Sequence, residues 1–100
     1  MAIKNLNVTI GASATPLIAS GSIRCNWATF INRDASDMAV GGSDVTTGSQ
    51  GKGIPLAAGG GFNYQSRAYI AQTNLALWYV AGTQNQIVSL VYDDGVDNLP

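Results

Sequence analysis

The sequence predicts an all-β fold, a compact antiparallel β-sandwich (jelly-roll-like) with short strands and glycine-rich turns. The chain has no Glu, no His and only two Lys, so strong helix formers other than Ala and Leu are scarce. Val, Ile, Thr, Tyr and Trp are well represented, as pleated, half-buried surfaces require. Twelve glycines and several polar clusters punctuate the chain at the close spacing of a sandwich or barrel. One hundred residues make one domain with a limited core. Many of the hydrophobic residues are Ala, so burial against neighbouring subunits is expected to add stability.

Residues 3–10 read as a first strand with Leu6, Val8 and Ile10 on one face. Residues 11–15 connect it to a short edge segment, 16–18, where Pro16 is tolerated. A strand over 22–31 puts Ile23, Cys25 and Trp27 on one face and Ala28, Phe30 and Asn32 on the other, so a bulge is expected near Trp27. Residues 32–37 form a polar turn in which Asp34 and Asp37 bond local backbone. A short strand over 38–40 ends at Gly41-Gly42, read as supplying unusual backbone angles, and Ser43-Asp44 reads as an Asx-type turn. Val45, Ile54, Leu56 and Phe62 anchor the segment 40–62. Strands over 54–56 and 62–64 flank the 57–61 turn, whereas 67–72 fits either a strand or a helical turn. Residues 75–81 and 86–92 read as strands joined into a hairpin by 82–85. The single domain spans 1–92, with 93–100 an acidic C-terminal tail.

A net charge of −1, without clustered Lys or Arg, argues against nucleic acid as a main partner. Residues 68–92 carry no charge, but Gln72, Thr73, Asn74, Gln84, Asn85 and Gln86 interrupt them, so no membrane span is expected. The N-terminus shows no signal-like apolar run, and cytosolic synthesis is expected. The single Cys25 reads as a buried thiol, with no His to activate it.

Catalytic chemistry is hard to assemble. A phosphate-binding loop needs glycine five residues before its Gly-Lys, and that position is Thr46, while Gly51-Lys52 is followed by Gly53 instead of Ser or Thr. Asp93, Asp94 and Asp97 lack calcium-loop spacing and a bidentate Glu, so no metal is expected. With no His, no Glu and no Lys in an apolar setting, no enzyme and no cofactor are expected. Trp27, Tyr64, Tyr69, Trp78 and Tyr79 fit either packing or a sugar-stacking surface.

The run Val40-Gly41-Gly42-Ser43-Asp44-Val45-Thr46-Thr47, followed by Gly53-Ile54-Pro55-Leu56-Ala57-Ala58-Gly59, resembles a motif of small virion proteins of tailed bacteriophages. Leu77-Trp78-Tyr79-Val80-Ala81-Gly82 and Val88-Ser89-Leu90-Val91-Tyr92 resemble the strands that follow it there. The likeness spans most of residues 22–92, with a lengthened 47–53 segment as a departure. It implies a β-sandwich on the virion, of the capsid decoration or cement type. It also implies synthesis in the host cytoplasm, the major capsid protein as partner, and a homo-oligomer, with a trimer by analogy. The alternative is a tail or fibre host-recognition module that binds a surface glycan.

The strands over 75–80 and 87–92 are apolar on both faces, so one face is expected to meet another subunit or the capsid. The expected contact residues are Trp78, Val80, Val88, Leu90 and Tyr92, with Trp78 the foremost. The rival arrangement has Trp78 in the core and Tyr79 turned outward.

Overall fold

Strand pairing along this chain is nested. A computed structural model describes residues 2–48, 50–65 and 72–93. Its strands are β1 (Ile3–Thr9), β2 (Thr15–Pro16), β3 (Arg24–Cys25), β4 (Trp27–Asn32), β5 (Met38–Gly41), β6 (Ile54–Leu56), β7 (Gly61–Gln65), β8 (Thr73–Asn74), β9 (Tyr79–Ala81) and β10 (Ile87–Asp93). First pairs with last and so on inward: β1 with β10, β2 with β9, β3 with β8, β4 with β7, β5 with β6, all antiparallel. The chain is thus one long interrupted hairpin whose tip is the glycine-rich segment 42–53. Two further pairings, β10 with β4 and β9 with β5, roll this ribbon up. The result is two four-stranded sheets, β1-β10-β4-β7 and β2-β9-β5-β6, with β3-β8 as a small third pair. That order, produced by rolling a long hairpin, is a jelly roll.

Alternation puts one face of each sheet into a shared core. Ala28, Phe30 and Asn32 of β4 are buried while Trp27, Thr29 and Ile31 between them are half-exposed. Val88, Leu90 and Tyr92 of β10 meet Val8 and Leu6 of β1 from the same side. Met38, Val40, Leu56 and Val80 close the core from the second sheet.

The hairpin tip depends on a close backbone approach. Gly53 has φ +105, and a Cβ there would lie 2.7 Å from the Val40 carbonyl oxygen and from Val45 Cγ2. Gly41 faces it across the pair, where an added Cβ would sit 3.3 Å from the Gly53 Cα. The expectation that Gly41 and Gly42 supply unusual angles is therefore corrected: Gly41 serves close approach, and the positive φ values of the tip belong to Gly48 and Gly53. Likewise, the turn at Ser43-Asp44 is closed by backbone, with Val45 N–H donating to Gly42 O at 3.1 Å.

Four other expectations change. Residues 75–81 are not one strand: Leu75–Leu77 is a 3-10 turn before β9. Asn74 Oδ1 accepts from Ala76 N at 3.0 Å and Ile23 N at 3.3 Å, which competes with extended pairing at this point. The turn buries Leu75 and leaves Leu77 70% exposed, so the unbroken apolar run is not a two-sided strand. Nor do β9 and β10 form a hairpin. The 82–86 turn, closed by Gln86 N–H to Thr83 O at 3.1 Å with Asn85 at φ 75, carries the chain from one sheet to the other. The 22–31 segment breaks at Asn26, next to the expected bulge. There Asp93 Oδ1 accepts the amides of Asn26 (2.6 Å) and Trp27 (3.0 Å), while Oδ2 accepts Asn26 Nδ2 at 2.8 Å. Asp93 itself, expected to open the tail, is fully buried and ends β10 opposite Ile3. Residues 67–71 and 94–100 lie outside the described residues.

Asn32 ties three segments together from a fully buried position. Its Nδ2 donates to Ser36 O (2.8 Å) and Leu56 O (2.9 Å), and its Oδ1 accepts the Asp34 amide at 2.9 Å. Asn32→Ala leaves a buried carbonyl and an amide without these partners. It is expected to cost about 3 kcal/mol in urea unfolding, against about 0.5 kcal/mol or less for Asn63→Ala on the exposed face.

Candidate contact surface

The residues expected to form a contact lie elsewhere. Val80, Val88, Leu90 and Tyr92 are buried in the chain's own core, so they offer a partner no surface. This corrects the expectation of an interface there: the second sheet covers the face that carries them, and alternation turns the other set of β10 outward. Trp78 is half-buried among aromatic rings, 5.1 Å from Phe30, 6.1 Å from Phe62 and 6.0 Å from Tyr64 between centroids. Its Nε1 donates to Thr73 Oγ1 at 2.8 Å. Tyr79 instead packs on Ala39, Val45 and Ala81 on the far side of the second sheet. Both residues are thus half-buried, Trp78 against the main core and Tyr79 against the smaller cluster. Tyr64 and Trp78 are locked edge to face, which removes them as an open sugar-stacking platform; Tyr69 is outside the described residues.

What faces outward is the other side of the β1-β10-β4-β7 sheet. Register and alternation put Asn5, Asn7 and Thr9 of β1, Ile87, Ser89 and Val91 of β10, Thr29 and Ile31 of β4, and Asn63 and Gln65 of β7 on it. The columns are held by side-chain bonds: Ser89 Oγ donates to Asn7 Oδ1 at 2.9 Å, and Thr29 Oγ1 to Asn63 Oδ1 at 3.0 Å. Asp34 Oδ2 accepts the Ile87 amide at 2.9 Å, fixing the end of β10 to the β4–β5 turn. This carboxylate thus serves distant backbone instead of its own turn, as does Asp37, which accepts the Ala58 amide at 3.2 Å.

A shallow depression of about 480 Å³ lies on this face, lined by Asn5, Asn7, Ile31, Arg33, Asp34, Ile87, Ser89 and Val91. Its lining interleaves aliphatic side chains (Ile31, Ile87, Val91) with amides and a hydroxyl (Asn5, Asn7, Ser89), with charge only where Arg33 and Asp34 stand. Ile87 is 43% exposed. Such a surface can exclude water over its centre while its rim exchanges hydrogen bonds. One signal in the sequence marked it: of the two sets on β10, only Ile87-Ser89-Val91 contains a polar residue, and it faces Asn5, Asn7 and Thr9 of β1.

The remaining chemistry is sparse. Among the described residues no three His, Cys, Asp or Glu come together as a metal site. The glycine-rich tip lines a second depression of about 350 Å³, with Asp37, Thr46 and Thr47. Lys52 there stands 3.9 Å from Asp44, with both side chains exposed. Cys25 is fully buried, as expected. Burial, followed by the negative charge of Asp93, pushes its thiol up from 9.0 to about 11. No described helix is long and apolar enough to cross a membrane.

Comparison with protein-family models, curated proteins and solved structures finds no match for this chain.

Two outcomes follow from this placement. Trp78→Ala is expected to destabilise the domain by about 3 kcal/mol, measured by denaturant unfolding, because it empties a packed aromatic cluster. Native Cys25 is expected to resist a thiol-disulfide reagent at pH 8 and to react fully once unfolded in urea. Its buried neutral form favours the fold fully below the ordinary thiol range near 9.0, and this contribution is lost as pH rises through about 11.

Proposed function

We propose that this protein is a structural component of a tailed-bacteriophage virion, a capsid decoration or cement protein that bridges neighbouring capsid subunits. The observation that carries the reading is the outer face of the β1-β10-β4-β7 sheet. It is broad and held by cross-strand bonds, aliphatic along Ile31, Ile87 and Val91, and nearly free of charge, as the centre of a protein contact is. The likeness of the 40–59 segment and the later strands to small virion proteins supplies the context. Its mechanism is mechanical: each copy adds a modest contact, and many copies sum over a shell. The partner is the major capsid protein, the site of action the capsid surface, and the protein itself a homo-oligomer. Neither catalysis nor a cofactor enters this mechanism.

A second reading rests on the same depression. Asn5, Asn7, Ser89, Arg33 and Asp34, interleaved with aliphatic side chains, also suit the hydroxyls of a glycan, as in a host-recognition module of a tail or fibre. Aromatic stacking by Trp78 is no part of it.

Ile87→Lys separates the two. It puts a charge into the depression, at the Ile87 end of β10, while leaving the amides in place. The cement reading expects binding to particles stripped of the protein to weaken at least about tenfold, or 1.4 kcal/mol, together with lower rupture temperature of the particles. Retained particle binding, or glycan binding lost on Asn5→Ala with particle binding intact, overturns it in favour of recognition.

A further inference from the structure

The edges of the two sheets are not equally guarded. Both edge strands of the β2-β9-β5-β6 sheet contain proline, Pro16 in β2 and Pro55 in β6. Proline takes a donor out of an edge and so blocks pairing with another chain. β1, an edge of the other sheet, has no proline, and Lys4 is its one charged residue. It runs for seven residues without Pro or Gly, and its register with β10 is continuous from Ile3 to Thr9.

The direction of its free backbone groups follows from the ladder. Ile10 N–H donates to Gln86 O at 2.8 Å, so hydrogen-bonded pairs recur at every second residue before it. Val8, Leu6 and Lys4 therefore bond towards β10, and the amides and carbonyls of Ile3, Asn5, Asn7 and Thr9 point to the open side. Among the described residues no strand pairs with that side.

This edge is complementary to itself. Antiparallel pairing about an axis at Leu6 sets Ile3 against the second copy's Thr9, and Asn5 against the second copy's Asn7. All four are residues whose backbone groups point outward, so the pairing forms about eight backbone hydrogen bonds. Leu6, half-buried and packed on the core, meets its own counterpart. Lys4 falls opposite Val8, so like charges are not opposed.

We propose that β1 is a homodimer interface, in which two copies join edge to edge across a two-fold axis at Leu6 and merge their four-stranded sheets into one. The outer faces then form one continuous surface with Asn5 and Asn7 at its middle. This inference does not rest on the virion reading.

The test uses the full chain. Light scattering at about 100 μM, well above a micromolar dissociation constant, is expected to give a dimer. Asn5→Pro removes only an outward donor, so the ladder to β10 survives while dimer affinity falls at least tenfold. Asn63→Pro, on the β7 edge, is expected to leave the dimer intact. Covalent capture gives an independent reading that does not need Asn5→Pro to fold. Leu6→Cys places two thiols in a non-hydrogen-bonded pair with Cα atoms about 4.5 Å apart, within reach of a disulfide, and Cys25 is buried and does not compete. Oxidised Leu6→Cys is expected to run as a cross-linked dimer. Thr9→Cys is expected to stay uncrosslinked, its two thiols being about 20 Å apart. A monomeric wild type, a dimer or trimer lost on Asn63→Pro but not on Asn5→Pro, or equal cross-linking at positions 6 and 9 overturns the proposal.

Discussion

The roll is held shut by β10, which is bonded on both sides along most of its length. One side completes the outermost pair of the long hairpin with β1, and the other captures β4 from the opposite region of the ribbon. Every pair of the hairpin except this closure could form in a flat, open ribbon. Closure alone brings Phe30 beside Leu90 and Ala28 beside Tyr92, and so makes a core out of two amphipathic faces. Because β1 and β10 stand near opposite ends of the chain, the loop closed is long and its entropy must be offset by apolar burial. Val88, Leu90 and Tyr92 supply that burial from a single strand.

Buried polar groups then specify how the roll closes. Asp93 at the end of β10 takes the amides at the β3–β4 break, and Asn26 extends the network to Gln72, whose Nε2 donates to it at 3.1 Å. Asn32 performs a similar task at the other end of β4, binding the 33–37 turn and β6. Both networks satisfy backbone groups that leave the ladders, since a buried unpaired donor or acceptor is costly. A strand with Asp or Asn at its inward ends therefore has little freedom to slip, because a one-residue shift would strand these groups.

The outer sheet face carries charge only at Arg33 and Asp34, which suits the contact role proposed for it. The only described thiol is buried and held neutral. Asp34 and Asp37 fix backbone at Ile87 and Ala58. What the surface offers instead is aliphatic area and amide hydrogen bonding.

Local chemistry in the sequence determined the strand content, the inward face of β1, the burial of Cys25 and the short strands around the 57–61 turn. Each depends on alternation or on a turn residue within a few positions, and such signals survive without tertiary context. Tertiary structure decided the rest. Residues 75–77 became a 3-10 turn because Asn74, held against Ile23, captured the Ala76 amide. The strands after Leu77 parted into different sheets because β9 and β10 each found an earlier partner, β5 and β4, far away in the chain. Period-two alternation names two faces of a strand but not which one is covered. On β10 both sets are largely apolar, and only the second sheet, by packing on Val88, Leu90 and Tyr92, determined that Ile87, Ser89 and Val91 would face outward.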